Sequence, residues 1–400
     1  MMQRILPGVR YAQTNWLQQH LKWRKNCVDQ SFIIQHLSKW NVHQQFSTKE
    51  HWNSTEQWLN KYPVLTDTKI RPSVYILDHE LAGLIVEKLG GRNLSNEKAA
   101  WVEVNPGPGV VTRALLEAGL PRLIAIERQD VFNPELEDIM EAFPGRLTYI
   151  NKHFFSHPFI GDKYYELLQL MPDFSAKSFL DDPPLKIICH PAGHWLYEKK
   201  FSRTLQHQLV RNKDSIYSQG RVQFITIVSG VEHMNLTPTF PSKTCYRIKN
   251  VLQHLLFDTE SLLKVPTEYL YPMPLMKTYK DEKFKKYKKE PFVLLRMTPK
   301  WNLFEQVVPA EYLGLFQFFL KEMLVKKTAR LIPNVDTWFP GRGLDLIKSG
   351  YAMTDTVRDT TPDDLLKVFE TMLTWPELHS SSFYSEYYGQ ESHRKEERHA

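Results

Sequence analysis

The 400-residue chain carries 51 Lys+Arg against 45 Asp+Glu, a formal net charge of +6, with 42% hydrophobic and 12% aromatic residues. That apolar content excludes a mainly disordered chain and is enough for a substantial core in two or three domains. No apolar run approaches the ~18 residues of a membrane helix. The nearest, Tyr312–Leu320, is interrupted by Gly314 and Gln317, so a soluble protein without membrane insertion is expected.

Cys27, Cys189 and Cys245 fit no zinc spacing, and an odd, sparse count argues for a reducing compartment. The fifteen histidines form no HExxH, and no metal site is expected. Residues 1–28 hold Arg4, Arg10, Lys22, Arg24 and Lys25 and no acid. An acid-free, Arg-bearing start with scattered apolar residues suits a mitochondrial presequence. The 14 Asn+Gln of residues 1–60, with Trp16, Trp23, Trp40, Trp52 and Trp58, are untypical of one. Residues 1–45 are read as a targeting or disordered segment, and 46–98 as an N-terminal extension with a first helix.

That helix starts at Asp78, a natural cap, carries Leu81, Leu84, Ile85 and Leu89 on one face, and ends at Gly90-Gly91. Strand Ala99–Val104, helix Val110–Ala118, strand Leu123–Glu127, helix Pro134–Ala142 and strand Leu147–Asn151 follow. Further strands are predicted at Leu185–Cys189, Val222–Val228 and Phe292–Met297, with helices near 195–212 and 247–257. This alternation predicts an α/β domain over 99–305, a doubly wound and mostly parallel sheet. Residues 306–379 read as a small helical C-terminal domain, in which Thr361-Pro362-Asp363-Asp364 starts a helix. The Ser-, Glu-, Arg- and His-rich residues 380–400 read as a disordered tail.

The most informative stretch runs from Trp101 through Glu103, Asn105 and Gly107 to Gly109. It is a short strand, a glycine turn and a helix start, which lets backbone N–H groups approach a ligand. Glu127, eighteen residues after Gly109, ends the next strand, where a carboxylate can accept from a ribose diol. Such a loop suits a dinucleotide or S-adenosylmethionine. Glu103 before the loop, the missing GxGxxG and the two prolines favour the latter.

Glu103-Val-Asn-Pro-Gly-Pro-Gly109, with Ala114-Leu-Leu-Glu-Ala-Gly119 and Ala125-Ile-Glu127, resembles the small-subunit rRNA adenine dimethyltransferases. Within them it is most similar to the second paralogue of the mitochondrial transcription factor B branch. Ser215–Val222, Leu295–Lys300 with Asn302-Leu-Phe304, and Leu366–Met372 add to that likeness, so it runs from about residue 72 to 375. The resemblance implies a Rossmann-like S-adenosylmethionine-dependent methyltransferase fold. It implies cofactor contacts from the Tyr75-Ile76-Leu77-Asp78 segment (Ile76 in particular), from Glu103, Asn105, Gly107 and Gly109, and from Glu127. The family's aspartate after the third strand is His153 here, which cannot supply a carboxylate's negative field. After the fourth strand the family carries Asn-Leu-Pro-aromatic, which orients the target amine and stacks on the flipped base. Here that motif reads Cys189-His190-Pro191-Ala192, with acceptor and ring both lost. The bound cofactor is thus expected to be S-adenosylmethionine, in a pocket that is partly vestigial.

Residues 277–289 carry seven lysines against Asp281 and Glu282, interleaved with Tyr279, Phe284 and Tyr287. Lys283, Lys285, Lys286, Lys288 and Lys289 suit phosphate contacts and the rings suit stacking; a solvated loop is the alternative. The resemblance implies a transcription initiation factor in the mitochondrial matrix, at the nucleoid. Its implied partners are the mitochondrial RNA polymerase, promoter DNA or small-subunit rRNA, and a mitochondrial HMG-box transcription factor. Dimethylation of two adjacent adenines in mitochondrial small-subunit rRNA is the enzymatic alternative.

Overall fold

The computed structural model describes residues 54–66, 74–152, 175–190, 195–211, 215–240, 246–272, 291–326 and 328–399, without the side chains of 195–200 and 391–399. All fall in one compact unit, Asn53–Ala400. The basic run 277–289, His153, Pro191 and Ala192, and the N-terminal segment through residue 53 lie outside the described residues.

The chain opens with α1 (Thr55–Lys61), capped by Ser54 and Gln57, then β1 (Tyr75–Ile76) and α2 (His79–Leu89). Asp78 caps α2 by accepting from the Leu81 N–H at 2.8 Å, and Gly90 ends it at φ 137°. Then come β2 (Ala100–Val104), α3 (Val110–Glu117), β3 (Leu123–Glu127), α4 (Asn133–Ala142), β4 (Leu147–Asn151) and β5 (Leu185–Cys189). The α/β unit continues with α5 (Trp195–Arg211), β6 (Val222–Val228), α6 (Gly230–Leu236), α7 (Ile248–Leu256), β7 (Phe257–Val265), β8 (Leu270–Tyr271) and β9 (Phe292–Pro299).

Seven strands form one sheet in the order β4-β3-β2-β5-β6-β9-β7. The first five run parallel, and β9 is antiparallel to both β6 and β7. Buried strands such as β3, with all five residues inside, need helices on both faces, and the crossovers supply them. Strand order reverses between β2 and β5, so the crevice beyond the carboxyl ends of those two strands, which the loop after β2 borders, is where such sheets take ligands. β1 and β8 pair separately, Tyr75 opposite Tyr271 and Ile76 opposite Leu270.

β7 was not foreseen from the sequence. It follows α7 with no turn residue between them, Asp258 and Glu260 break its apolar pattern, and its register shifts at Ser261/Leu263. Pairing with β9 makes this stretch a strand.

The C-terminal region consists of α8 (Leu313–Val325), α9 (Leu331–Trp338), α10 (Gly343–Lys348), α11 (Pro362–Leu373) and α12 (Ser382–His399). One continuous apolar cluster joins sheet residues such as Ile187 and Phe224 through α7 to Phe316, Phe319 and Phe369. The helical region therefore shares a core with the sheet. The expected disordered tail from residue 380 is corrected: Ser382–His399 is helical, and Phe383 is fully buried. Its ring lies 4.9 Å from Trp338 and 5.2 Å from Phe318. Phe383, with Tyr384 and Tyr387 packed against the same cluster, anchors the start of this helix, and the charged stretch that follows hid that anchor.

Candidate functional site

Three backbone positions give the loop after β2 its shape. Asn105, Gly107 and Gly109 lie at φ 56°, 60° and 79°, in the left-handed region that asparagine tolerates and glycine prefers. The Asn105 N–H bonds the Ile126 carbonyl at 2.8 Å, tying the loop to β3. A Cβ on Gly109 would stand 2.4 Å from Ile139 Cδ1, and one on Gly107 would stand 2.5 Å from Tyr75 Cδ1. Both positions thus disfavour a side chain, by their positive φ and by the atoms packed against them.

Two buried carboxylates flank this loop. The Thr112 hydroxyl, in the first turn of α3, donates to Glu103 Oε2 at 2.6 Å. Burial pushes the Glu103 carboxyl up to about 7; the Thr112 bond opposes that rise and the Glu127 charge adds to it. Glu127 Oε2 accepts the Gly107 N–H at 3.0 Å, and Oε1 accepts the Arg128 and Gln129 N–H groups at 2.8 and 2.9 Å. Burial raises the Glu127 carboxyl, and those three backbone bonds pull it back.

An aromatic row reaches the loop from the N-terminal side. Tyr75 lies on Gly107, Phe132 meets Tyr75 edge-on at 5.4 Å, and Tyr62 meets Phe132 at 5.1 Å. The Tyr62 hydroxyl donates to Glu135 at 2.7 Å, and Lys61 pairs with the same carboxylate. Ile76, the residue expected at the cofactor, is buried next to Tyr75 in the small sheet, its backbone paired with Leu270. Tyr75 itself touches the loop at Gly107. Thr112 was also missed, although a hydroxyl nine residues after Glu103 at a helix start is a visible signal.

The motif after β5 sits beside β6. Cys189 is fully buried opposite Thr226 of β6, and burial pushes its thiol up. The His190 ring is buried too, accepting the Ile227 N–H on Nδ1 at 3.3 Å, and burial holds its pKa down at about 4, with a backbone bond at Cys189 opposing. The His190 ring is thus engaged by β6, and the Cys189 side chain is enclosed between the strands.

A family model described as ribosomal RNA adenine dimethylase matches residues 72–373. The chain belongs to the ribosomal RNA adenine dimethylase family. Dimethyladenosine transferase 2, mitochondrial, of Drosophila melanogaster is 26% identical over 312 residues, 74% of this chain and 68% of that protein. The Bos taurus protein of that name is 26% identical over 311 residues, 74% of this chain and 76% of its own. Mitochondrial dimethyladenosine transferase 1 of Bos taurus is 29% identical over 201 residues, 50% of this chain and 54% of that one. This dimethylase-family chain thus resembles the second mitochondrial paralogue over most of its length, as its motifs suggest. Among solved structures, the 23S rRNA methyltransferase ErmE aligns at a TM-score of 0.45 with 13% identity, over 74% of this chain and 98% of that one.

Members of such a family would take S-adenosylmethionine at the glycine loop, and Glu127 tests the fit. A carboxylate offers about four lone-pair positions. Three are taken by backbone N–H groups, while a ribose diol asks for two. Protein atoms alone leave Glu127 at 0% exposure. In this arrangement the dimethylase fold is retained, and its ribose acceptor does not fit the nucleoside.

Proposed function

We propose that this chain is a mitochondrial transcription initiation factor built on a dimethylase fold, which joins the mitochondrial RNA polymerase and an HMG-box factor and holds melted promoter DNA. The observation that carries this reading is the end of β5. Transfer of a methyl group to an adenine amine needs an acceptor that aims the amine's lone pair. Cys189 is buried against Thr226, and the His190 ring is spent on backbone groups. Neither offers that acceptor. A fold whose family acts on an unstacked base also suits a separated strand, where aromatic stacking and phosphate contacts supply the affinity. A mitochondrial location accords with the names of the relatives and with the basic, acid-free N-terminus.

The second reading is dimethylation of adjacent adenines in mitochondrial small-subunit rRNA. The family description and the relatives' printed names favour it, as do the retained Glu103, Gly107 and Gly109. Promoter-dependent run-off transcription with the cognate polymerase, with and without this chain, separates the two. Run-off product that requires the chain is expected, together with no methyl transfer to a small-subunit rRNA fragment. Methylated adenines and chain-independent transcription would reverse the choice.

A further inference from the structure

We infer that Glu127 serves the glycine loop itself, as a fixed internal cap that shuts the nucleoside site to S-adenosylmethionine. The argument is one of acceptor capacity. Gly107 donates to Oε2, and Arg128 and Gln129 donate to Oε1, so the carboxylate organises the loop after β2 and the turn after β3 together. A ligand diol would have to displace at least one of these bonds and leave a buried N–H unpaired. It would also have to reach a residue with 0% exposure.

The rest of the loop is held in the same closed form. Tyr75 fills the space that the missing Gly107 side chain leaves, and Ile139 fills that at Gly109. Phe132 and Tyr62 back Tyr75, and Glu135 anchors Tyr62 from α4. Residues 54–66 thereby buttress the loop from outside while Glu127 holds it from within. This inference does not depend on the transcription reading: a chain that binds no cofactor is still free to act or fail to act at a promoter.

The test uses the full chain without cofactor. Hydrogen exchange should find the Gly107 amide protected, and Glu127→Gln should speed its exchange at least tenfold. The glutamine keeps one acceptor oxygen for Arg128 and Gln129 and turns an amide N–H₂ toward Gly107, so only the loop bond is lost. Titration calorimetry of the unaltered chain with S-adenosylmethionine, and with S-adenosylhomocysteine, should give no saturable heat up to millimolar ligand. Saturable binding of either compound by the unaltered chain overturns the inference. So does a Gly107 amide that exchanges freely in the cofactor-free protein. If Glu127→Gln fails to fold, the calorimetry of the unaltered chain decides alone.

Discussion

Thr112 Oγ1 lies 2.6 Å from Glu103 Oε2, and this is the polar contact that secures Glu103 beneath the glycine loop. A carboxyl buried with one hydroxyl partner and a second acid nearby keeps its proton to about pH 7. The unfolded chain releases that proton near the ordinary carboxyl value of 4.5. Between those values the folded state binds the extra proton, so this group's stabilising effect is complete below about 4.5 and is lost as pH rises through 7. The full span corresponds to roughly 3 kcal/mol. Glu103→Gln keeps an acceptor for Thr112 and removes the ionisation. It should match the unaltered chain at pH 4.5 and be more stable at pH 8, by denaturant unfolding at both values. Parallel stability curves for the two proteins would refute this.

Gly109 and Ile139 make a second coupled pair. Gly109→Ala places a methyl group against Ile139 Cδ1 at a positive φ. Backbone strain and overpacking should together cost about 2–4 kcal/mol. Ile139→Val removes Cδ1, so the double variant should recover part of that loss. Chemical denaturation of the four proteins in the cycle measures the coupling, and strict additivity would show that the contact is not the cause.

Why the sheet was legible and parts of the site were not follows from how each signal is encoded. Strands β3 and β5 announce themselves as short apolar runs, and Asp78 and Thr361 as caps with apolar faces behind them. Thr361 and Asp364 do form the reciprocal capping box that their spacing implies. β7 is invisible locally because its partner residues on β9 lie 27 to 42 positions along the chain and supply the pairing that its charged sequence does not favour. The acids Glu103 and Glu127 could be chosen from their places at strand ends. Which groups satisfy them could not, because Gly107 reaches Glu127 only after the loop has closed in three dimensions.

The C-terminal helix provides a third test. Phe383 sits among Phe318, Phe319, Trp338 and Phe339, and no polar pattern around it advertises that anchor. Phe383→Ala should cost about 3–5 kcal/mol, as for other aromatic truncations in a packed core. Phe383→Leu should cost less. A midpoint unchanged by the alanine variant in urea would mean that α12 does not contribute to the shared core.

The last prediction concerns the lysine run that lies outside the described residues. If the chain holds melted promoter DNA, some of its affinity should come from phosphate contacts, each of which releases counterions. Changing Lys283, Lys285, Lys286, Lys288 and Lys289 to Gln removes up to five such contacts. At about −0.7 per contact on single strands, the slope of log affinity against log salt should flatten by as much as ~3.5. Promoter melting followed by a fluorescent base analogue, in a salt series, reads that slope and the extent of opening together. The fold should survive, since the altered positions belong to a hydrophilic run of sequence, and circular dichroism checks this. An unchanged slope with normal opening would remove this run from the nucleic-acid surface. It would leave the transcription reading resting on the lost acceptor at the end of β5 alone.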